Sequence, residues 1–333
     1  MKKIYLLLII ISTALIIGCY ESWYPVYDDW LCTINIDGSD LKYIRDSYEK
    51  FLLSPDRETL IEYCGNKFYS VNLNDLSYRT LLFDFGDDVD AIYQPAMSNT
   101  KIVFSHHGEI YTFDLEDRDT TRLTFSASTS NWRPAFSSDG NKIVYTTKLD
   151  SLSTIVLMNS DGSDKTVVYE IEDIEFSKNY ISSLRYVQNG EKILFIMHGN
   201  QYSSAVDGIY SINFNGSGFQ CIVENICPSY LTVSPNEDYI LFVYDYYIQK
   251  VNIDGTGRVF LTESSHSSFY PSITPGGQKI LYAKELYPYI MNADGTNSYK
   301  MIDKTIGKMS LDYKESYFLN NYTIILNLNK QIN

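Results

Sequence analysis

A chain of 333 residues with 30 Tyr, 16 Phe and a formal charge of −14 combines the aromatic content of packed sheets with a strongly acidic surface. Such a surface repels phosphate backbones, which argues against nucleic acid as a partner and against direct docking on anionic lipid. No long stretch shows a helical period, so the aromatics are read first as strand residues, and a single all-β domain accommodates this length.

In chain order, Lys2 and Lys3 precede an apolar run, Ile4–Ile17, of 14 residues. That length suits a signal-peptide core and falls short of the roughly 20 residues of a membrane span. The run ends in Ile16-Ile17-Gly18-Cys19, which resembles the bacterial lipobox. The resemblance implies cleavage before Cys19 and lipidation of its sulfur; an uncleaved anchor with an incidental cysteine is the alternative. Residues 1–18 are then a leader, 19–30 a lipidated tether and 31–333 the folded domain, and loss of Lys2 and Lys3 takes the charge to −16. Tyr20 after the lipidated cysteine resembles the pattern that sorts lipoproteins to the outer membrane, facing the periplasm or the cell surface.

Beyond Trp30 the chain repeats. Its clearest unit is Arg133–Tyr145, RPAFSSDGNKIVY: a short apolar strand, a Ser-Asp-Gly-Asn turn and a β-branched strand. Asp-Gly between such runs signals a hairpin, because glycine accepts positive φ and Asp bonds its own backbone. A second hairpin follows, turning at Ser160-Asp161-Gly162-Ser163. First-hairpin signatures recur at Leu53–Asp56, Met97–Asn99, Phe136–Gly140, Val187–Gly190, Val233–Asn236, Ile273–Gly277 and Met309–Asp312, with Gln188 and Thr274 in place of the usual Ser. Second-hairpin signatures recur at Ile34–Gly38, Val71–Asn74, Phe113–Glu116, Met158–Gly162, Ile212–Gly216, Val251–Gly255, Met291–Gly295 and Leu326–Asn329. From Ser54 to Ser310 six intervals span 256 residues, a period of about 43 that suits four-stranded propeller blades. The chain opens on a second-half unit and closes on a first-half unit plus one strand, so pairing its two ends in one blade removes the open sheet edge. The expected fold is a single β-propeller of four-stranded antiparallel blades, seven in number. Because Thr323–Leu328 competes with Leu31–Ile36 for one slot, six or eight blades are the alternatives.

These repeats resemble the WD40-like (PD40-type) propeller repeats of TolB-type periplasmic proteins, and also the propellers attached to prolyl oligopeptidases. The resemblance spans the chain from Leu31 onward. It implies an envelope protein that presents a propeller to a protein partner.

Sequence patterns for chemistry are sparse. No Gly-x-Ser-x-Gly elbow, phosphate-binding loop or dinucleotide fingerprint occurs. The recurrent Asp-Gly pairs fall where hairpins must turn, so turn chemistry is preferred to calcium binding. His106-His107 stand at a strand-to-strand turn and are expected to face solvent. Cys221 and Cys227 flank an interblade loop and are candidates for a disulfide, with buried small hydrophobes as the alternative. Paired Cys or His spacing is absent, so no metal, cofactor or catalytic residue is expected. Loops entering each innermost strand share one face with those joining the second and third strands. That face is expected to carry Tyr93, Gln94, Trp132, Arg133, His266, Phe269 and Tyr270, beside the insertion His198–Gly208. The resulting expectation is a lipid-anchored, non-enzymatic interaction scaffold in the envelope. A glycan- or peptidoglycan-binding module is the first alternative and an enzyme with a central-channel site the second.

Overall fold

The computed structural model describes residues 27–46, 50–86, 92–126, 129–149, 152–172, 180–187, 191–199, 207–263, 267–285, 287–302, 316–318 and 323–331. The expected leader, Cys19 and the expected turn at Met309–Asp312 lie outside them. Seven four-stranded antiparallel sheets form, and no helix occurs among the described residues.

The chain begins with β1 (Tyr27–Asn35) and β2 (Lys42–Asp46). Blade 1 follows as β3 (Lys50–Leu53), β4 (Leu60–Cys64), β5 (Lys67–Asn72) and β6 (Asp75–Asp84). Blade 2 comprises β7 (Tyr93–Met97), β8 (Lys101–His106), β9 (Glu109–Asp114) and β10 (Thr120–Arg122). Blade 3 comprises β11 (Ser130–Phe136), β12 (Lys142–Leu149), β13 (Leu152–Asn159) and β14 (Thr166–Glu172). Blade 4 comprises β15 (Tyr180–Val187), β16 (Lys192–His198), β17 (Gly208–Asn213) and β18 (Gln220–Glu224). Blade 5 comprises β19 (Ser229–Val233), β20 (Tyr239–Tyr244), β21 (Tyr247–Asn252) and β22 (Val259–Phe260). Blade 6 comprises β23 (Ser268–Ile273), β24 (Lys279–Lys284), β25 (Tyr287–Asn292) and β26 (Tyr299–Lys300). Blade 7 joins the chain's ends, with β27 (Ser316–Phe318) and β28 (Thr323–Gln331) in the order β2-β1-β28-β27.

This closure corrects three details of the sequence reading. Thr323–Gln331 is the second strand of blade 7 and lies beside β1, so the two do not compete for a slot and the count is seven. Leu326–Asn329 is strand interior and makes no turn. Because β28 continues to Gln331, it supplies partners for Tyr27–Trp30, and the sheet starts at Tyr27 instead of Leu31.

The repeat signatures have a physical cause. In the first hairpin a buried hydroxyl accepts the N–H of the returning strand: Ser137 Oγ from Lys142 at 2.9 Å, Ser54 Oγ from Thr59 at 2.9 Å and Thr274 Oγ1 from Lys279 at 2.9 Å. Thr274 therefore does the work of Ser. In the second hairpin the Asp carboxylate accepts both the N–H and the hydroxyl of the residue two ahead, as at Asp37–Ser39, Asp161–Ser163, Asp254–Thr256 and Asp294–Thr296. The intervening glycine also touches the neighbouring blade. Gly38 sits at φ 83°, where a Cβ would stand 2.6 Å from the Met301 carbonyl oxygen, so only glycine fits both the turn and the close approach.

Middle strands are buried on both faces, because each blade is stacked between two others. Along β16, Ile193, Phe195 and Met197 pack toward blade 3, while Leu194 and Ile196 pack toward blade 5. Each such fully buried side chain stabilises the stack by about 1.5–3 kcal/mol. First strands of adjacent blades touch one another, which places β7, β11, β15, β19 and β23 around the central axis.

Candidate functional site

The first strand of each of blades 2–6 is broken by a bulge at one equivalent position. Register shifts occur between Tyr93 and Ala96, Trp132 and Ala135, Ser182 and Arg185, Ser229 and Thr232, and Phe269 and Ser272. Inside each, one non-glycine residue takes positive φ: Gln94 (45°), Arg133 (56°), Ser183 (54°), Tyr230 (55°) and Tyr270 (53°). Such conformations are sparsely populated, and bulges re-aim side chains near sites of function. The expected face residues Tyr93-Gln94, Trp132-Arg133 and Phe269-Tyr270 are three of these five pairs. Ser182-Ser183 and Ser229-Tyr230 lack the sequence signal of the other three, since Leu follows them where Pro follows the others.

The structure divides the expected face in two. Tyr93, Gln94, Trp132 and Arg133 come together in a cavity of about 420 Å³, with Thr146, Thr147, Lys148, Ser153, Tyr180 and Ile181 completing its wall. The Trp132 ring meets Tyr93 edge-on at 5.6 Å, so the tryptophan lines the cavity mouth. Its carbonyl accepts the Thr146 hydroxyl at 3.0 Å, which fixes the bulge. Arg133 lies over the Tyr180 ring at 5.5 Å, and burial lowers the pKa of its guanidinium. Arg133 Nε and Thr147 Oγ1 are buried with no hydrogen-bond partner among the described residues.

Below Trp132 a buried carboxylate ties blade 2 to blade 3. Glu109 accepts from Arg122 at 3.0 Å, the Ser126 N–H at 2.6 Å and Asn131 Nδ2 at 3.2 Å, and also from the Thr124 hydroxyl. Asn131 directly precedes Trp132, so this network holds the start of the bulge.

Phe269 and Tyr270 do not line that cavity. Tyr270 meets Tyr230 edge-on at 4.5 Å and Phe269 meets Tyr246 at 5.6 Å, forming an aromatic ledge across blades 5 and 6. Tyr230 and Tyr246 are 41% and 58% exposed, which makes this an outward surface. Neither was expected from sequence, and His266 lies outside the described residues.

Two further expectations are corrected. His106 is buried against Phe85, its ring stacked at 4.3 Å, while His107 faces solvent. Cys221 and Cys227 are free thiols. Cys221 engages Tyr210, whereas Cys227 Sγ stands 3.4 Å from His198 Nδ1. His198 stacks on Tyr180 at 4.1 Å, and its Nε2 bonds Ser182 Oγ at 2.8 Å. Burial lowers the His198 pKa, opposed by Asp207 and assisted by Arg133. The serine–histidine contact has the form of a nucleophile–base pair, but Nδ1 faces a thiol where a carboxylate would orient the base.

No family model matches the chain. Among solved structures, the putative TolB from Agrobacterium tumefaciens superposes at a TM-score of 0.50 with 16% identity, covering 83% of this chain and 89% of that one. The chain shares the TolB-type propeller fold. An oligogalacturonate lyase solved with manganese superposes at 0.62 with 11% identity, over 83% and 88% of the two chains. Porphyromonas gingivalis dipeptidyl peptidase 4 does so at 0.52 with 10% identity, over 80% of this chain and 47% of that one. At such identities the likeness concerns the fold. It nevertheless corrects the expectation of a protein without catalysis: a lyase and a peptidase share this architecture, so neither the propeller nor missing sequence motifs establishes a non-enzyme.

Proposed function

We propose that this chain is a lipid-anchored envelope propeller whose blade 2–4 cavity binds an acidic saccharide. The carrying observation is an unpartnered, buried guanidinium Nε inside an aromatic wall. A guanidinium matches a carboxylate in geometry and charge, and a buried unpaired donor favours a ligand that supplies its acceptor. Tyr93 and Trp132 offer apolar faces for a sugar ring, and Tyr180 backs the Arg133 guanidinium. Gln94, Thr146, Thr147 and Ser153 offer polar groups for its hydroxyls, and Lys148 adds positive charge to an otherwise acidic protein. The volume lies within the range of small-ligand sites. The oligogalacturonate lyase is named for an acidic sugar polymer, in keeping with this choice of ligand.

Calorimetric titration with a galacturonate oligomer and its neutral galactose counterpart tests the reading. Binding of the acidic oligomer alone supports it; equal binding of both, or of neither, refutes it. The anchor is tested by fractionating cells that express Cys19→Ser, which is expected to leave the membrane fraction where the wild-type chain remains.

A second reading rests on the ledge of Tyr230, Tyr246, Phe269 and Tyr270. Exposed aromatics at a propeller mouth suit a protein partner in the envelope. Crosslinking through Tyr246 in intact envelopes, followed by mass spectrometry, is expected to yield one stoichiometric protein.

A further inference from the structure

Three groups of different chemistry converge where blade 4 meets blade 5. His198 ends β16, Asp207 directly precedes β17, and Cys227 lies in the link between β18 and β19. One ligand atom from each lies within 4.8 Å of the others, at partly exposed positions that an ion can reach. We propose that His198, Asp207 and Cys227 bind a zinc ion.

The spacing fits. Zinc holds thiolate sulfur at about 2.3 Å and imidazole nitrogen at about 2.0–2.1 Å, so two such atoms on one tetrahedral centre stand about 3.5 Å apart. Cys227 Sγ and His198 Nδ1 are 3.4 Å apart. The histidine is also oriented for the task. Its Nε2 bonds Ser182 Oγ, so with the ring proton on Nε2 donated to the serine, Nδ1 presents its lone pair to the thiol side. Its plane is fixed by stacking on Tyr180. Asp207 is held by its Oδ1, which accepts the Gly199 N–H at 2.9 Å. A thiol with an imidazole selects against calcium and magnesium, which take oxygen ligands. Three protein ligands leave a fourth position open, as in zinc sites that hold water or substrate. Tyr180 stacks on His198 and also walls the saccharide cavity, so the ion would adjoin that cavity, although its binding does not depend on the saccharide reading.

The test is equilibrium dialysis of the purified, chelator-stripped full chain against zinc chloride, with cobalt(II) as a spectroscopic replacement. One zinc per chain is expected, with a thiolate-to-cobalt charge-transfer band. Cys227→Ser and His198→Ala are each expected to weaken zinc binding by about 100-fold or more, and Ser182→Ala, which acts only through the histidine, by about tenfold. Cys221→Ser is expected to bind as the wild-type chain does. Substoichiometric zinc, a cobalt spectrum without a thiolate band, or full binding by Cys227→Ser would each overturn the proposal. The cobalt spectrum is read on the wild-type chain, so it decides the matter even if a variant fails to fold.

Discussion

The two sectors of the propeller mouth share a backbone and differ in what they display. In blades 2–4 and in blades 5–6 the first strand makes the same bulge with the same left-handed residue. In the first sector the bulge pairs of blades 2 and 3, Tyr93-Gln94 and Trp132-Arg133, converge on a cavity with an unpartnered Arg133 Nε, while Ser182 of blade 4 bonds His198. In the second, bulge residues meet each other and a neighbouring turn, Tyr230 on Tyr270 and Phe269 on Tyr246 of the β20–β21 turn, and form a solvent-facing ledge. The shared bulge therefore supplies the direction, while the residues at it and on the neighbouring strands and turns set whether a concave polar cavity or an exposed aromatic ledge results.

The sharpest break of this comparison is in ligand binding. Arg133→Gln is expected to weaken acidic-oligosaccharide affinity by about 10–100-fold, the worth of a charge-assisted hydrogen bond, and Trp132→Ala to weaken it through loss of the stacking face. Tyr246→Ala and Tyr230→Ala should leave that affinity unchanged, and Tyr230→Ala should abolish the envelope crosslink made through Tyr246. Loss of saccharide binding in the ledge variants would merge the two sectors into one site.

Next in size is an effect on stability. Glu109→Ala leaves Asn131, Thr124 and the Ser126 N–H without their carboxylate acceptor, and is expected to cost about 2–3 kcal/mol in urea unfolding. Because Asn131 precedes Trp132, the same change should weaken saccharide binding and spare the ledge. Gly38→Ala, at the contact between blades 6 and 7, combines positive φ with a clash against the Met301 carbonyl. It is expected to destabilise by more than about 1 kcal/mol and to leave the cavity's affinity unaltered.

The smallest effect is common to both sectors. Asp161 in blade 3 and Asp254 in blade 5 are held below the usual carboxylate range by a Ser or Thr hydroxyl and by that residue's N–H. Asp37 and Asp294 are lowered in the same way. As pH falls, the unfolded chain takes up protons first, so this stabilisation is whole above the unfolded pKa of about 3.9 and is lost as pH drops through the folded values. Thermal melts between pH 6 and pH 3 should show a decline beginning near pH 4, smaller in Asp161→Asn/Asp254→Asn than in the wild-type chain.

Much of the fold was legible in the sequence because each blade repeats local turn chemistry. The hydroxyl of Ser137 and the carboxylate of Asp161 act within five residues of chain, so their spacing shows directly in the letters. Blade 7 was legible as a closure but misassigned in register, since Asn327 and Asn329 look like turn residues and only pairing with β1 makes them strand. The cavity was half legible. Trp132-Arg133 and Tyr93-Gln94 stand out by residue type, whereas Thr147 and Tyr180 join them only through packing of adjacent blades. Aligning the five bulges would have added Tyr230 to the ledge. The convergence of His198, Asp207 and Cys227 leaves no spacing signature, because the propeller brings together a strand end, a strand start and an interblade link.

The most direct test of the central claim is titration of the galacturonate oligomer into wild-type and Arg133→Gln protein, with the neutral galactose oligomer as control. The account predicts saturable binding of the acidic ligand, lost by at least about tenfold in the variant, with little binding of the neutral one. Equal affinity of wild-type and variant for the acidic oligomer would contradict it.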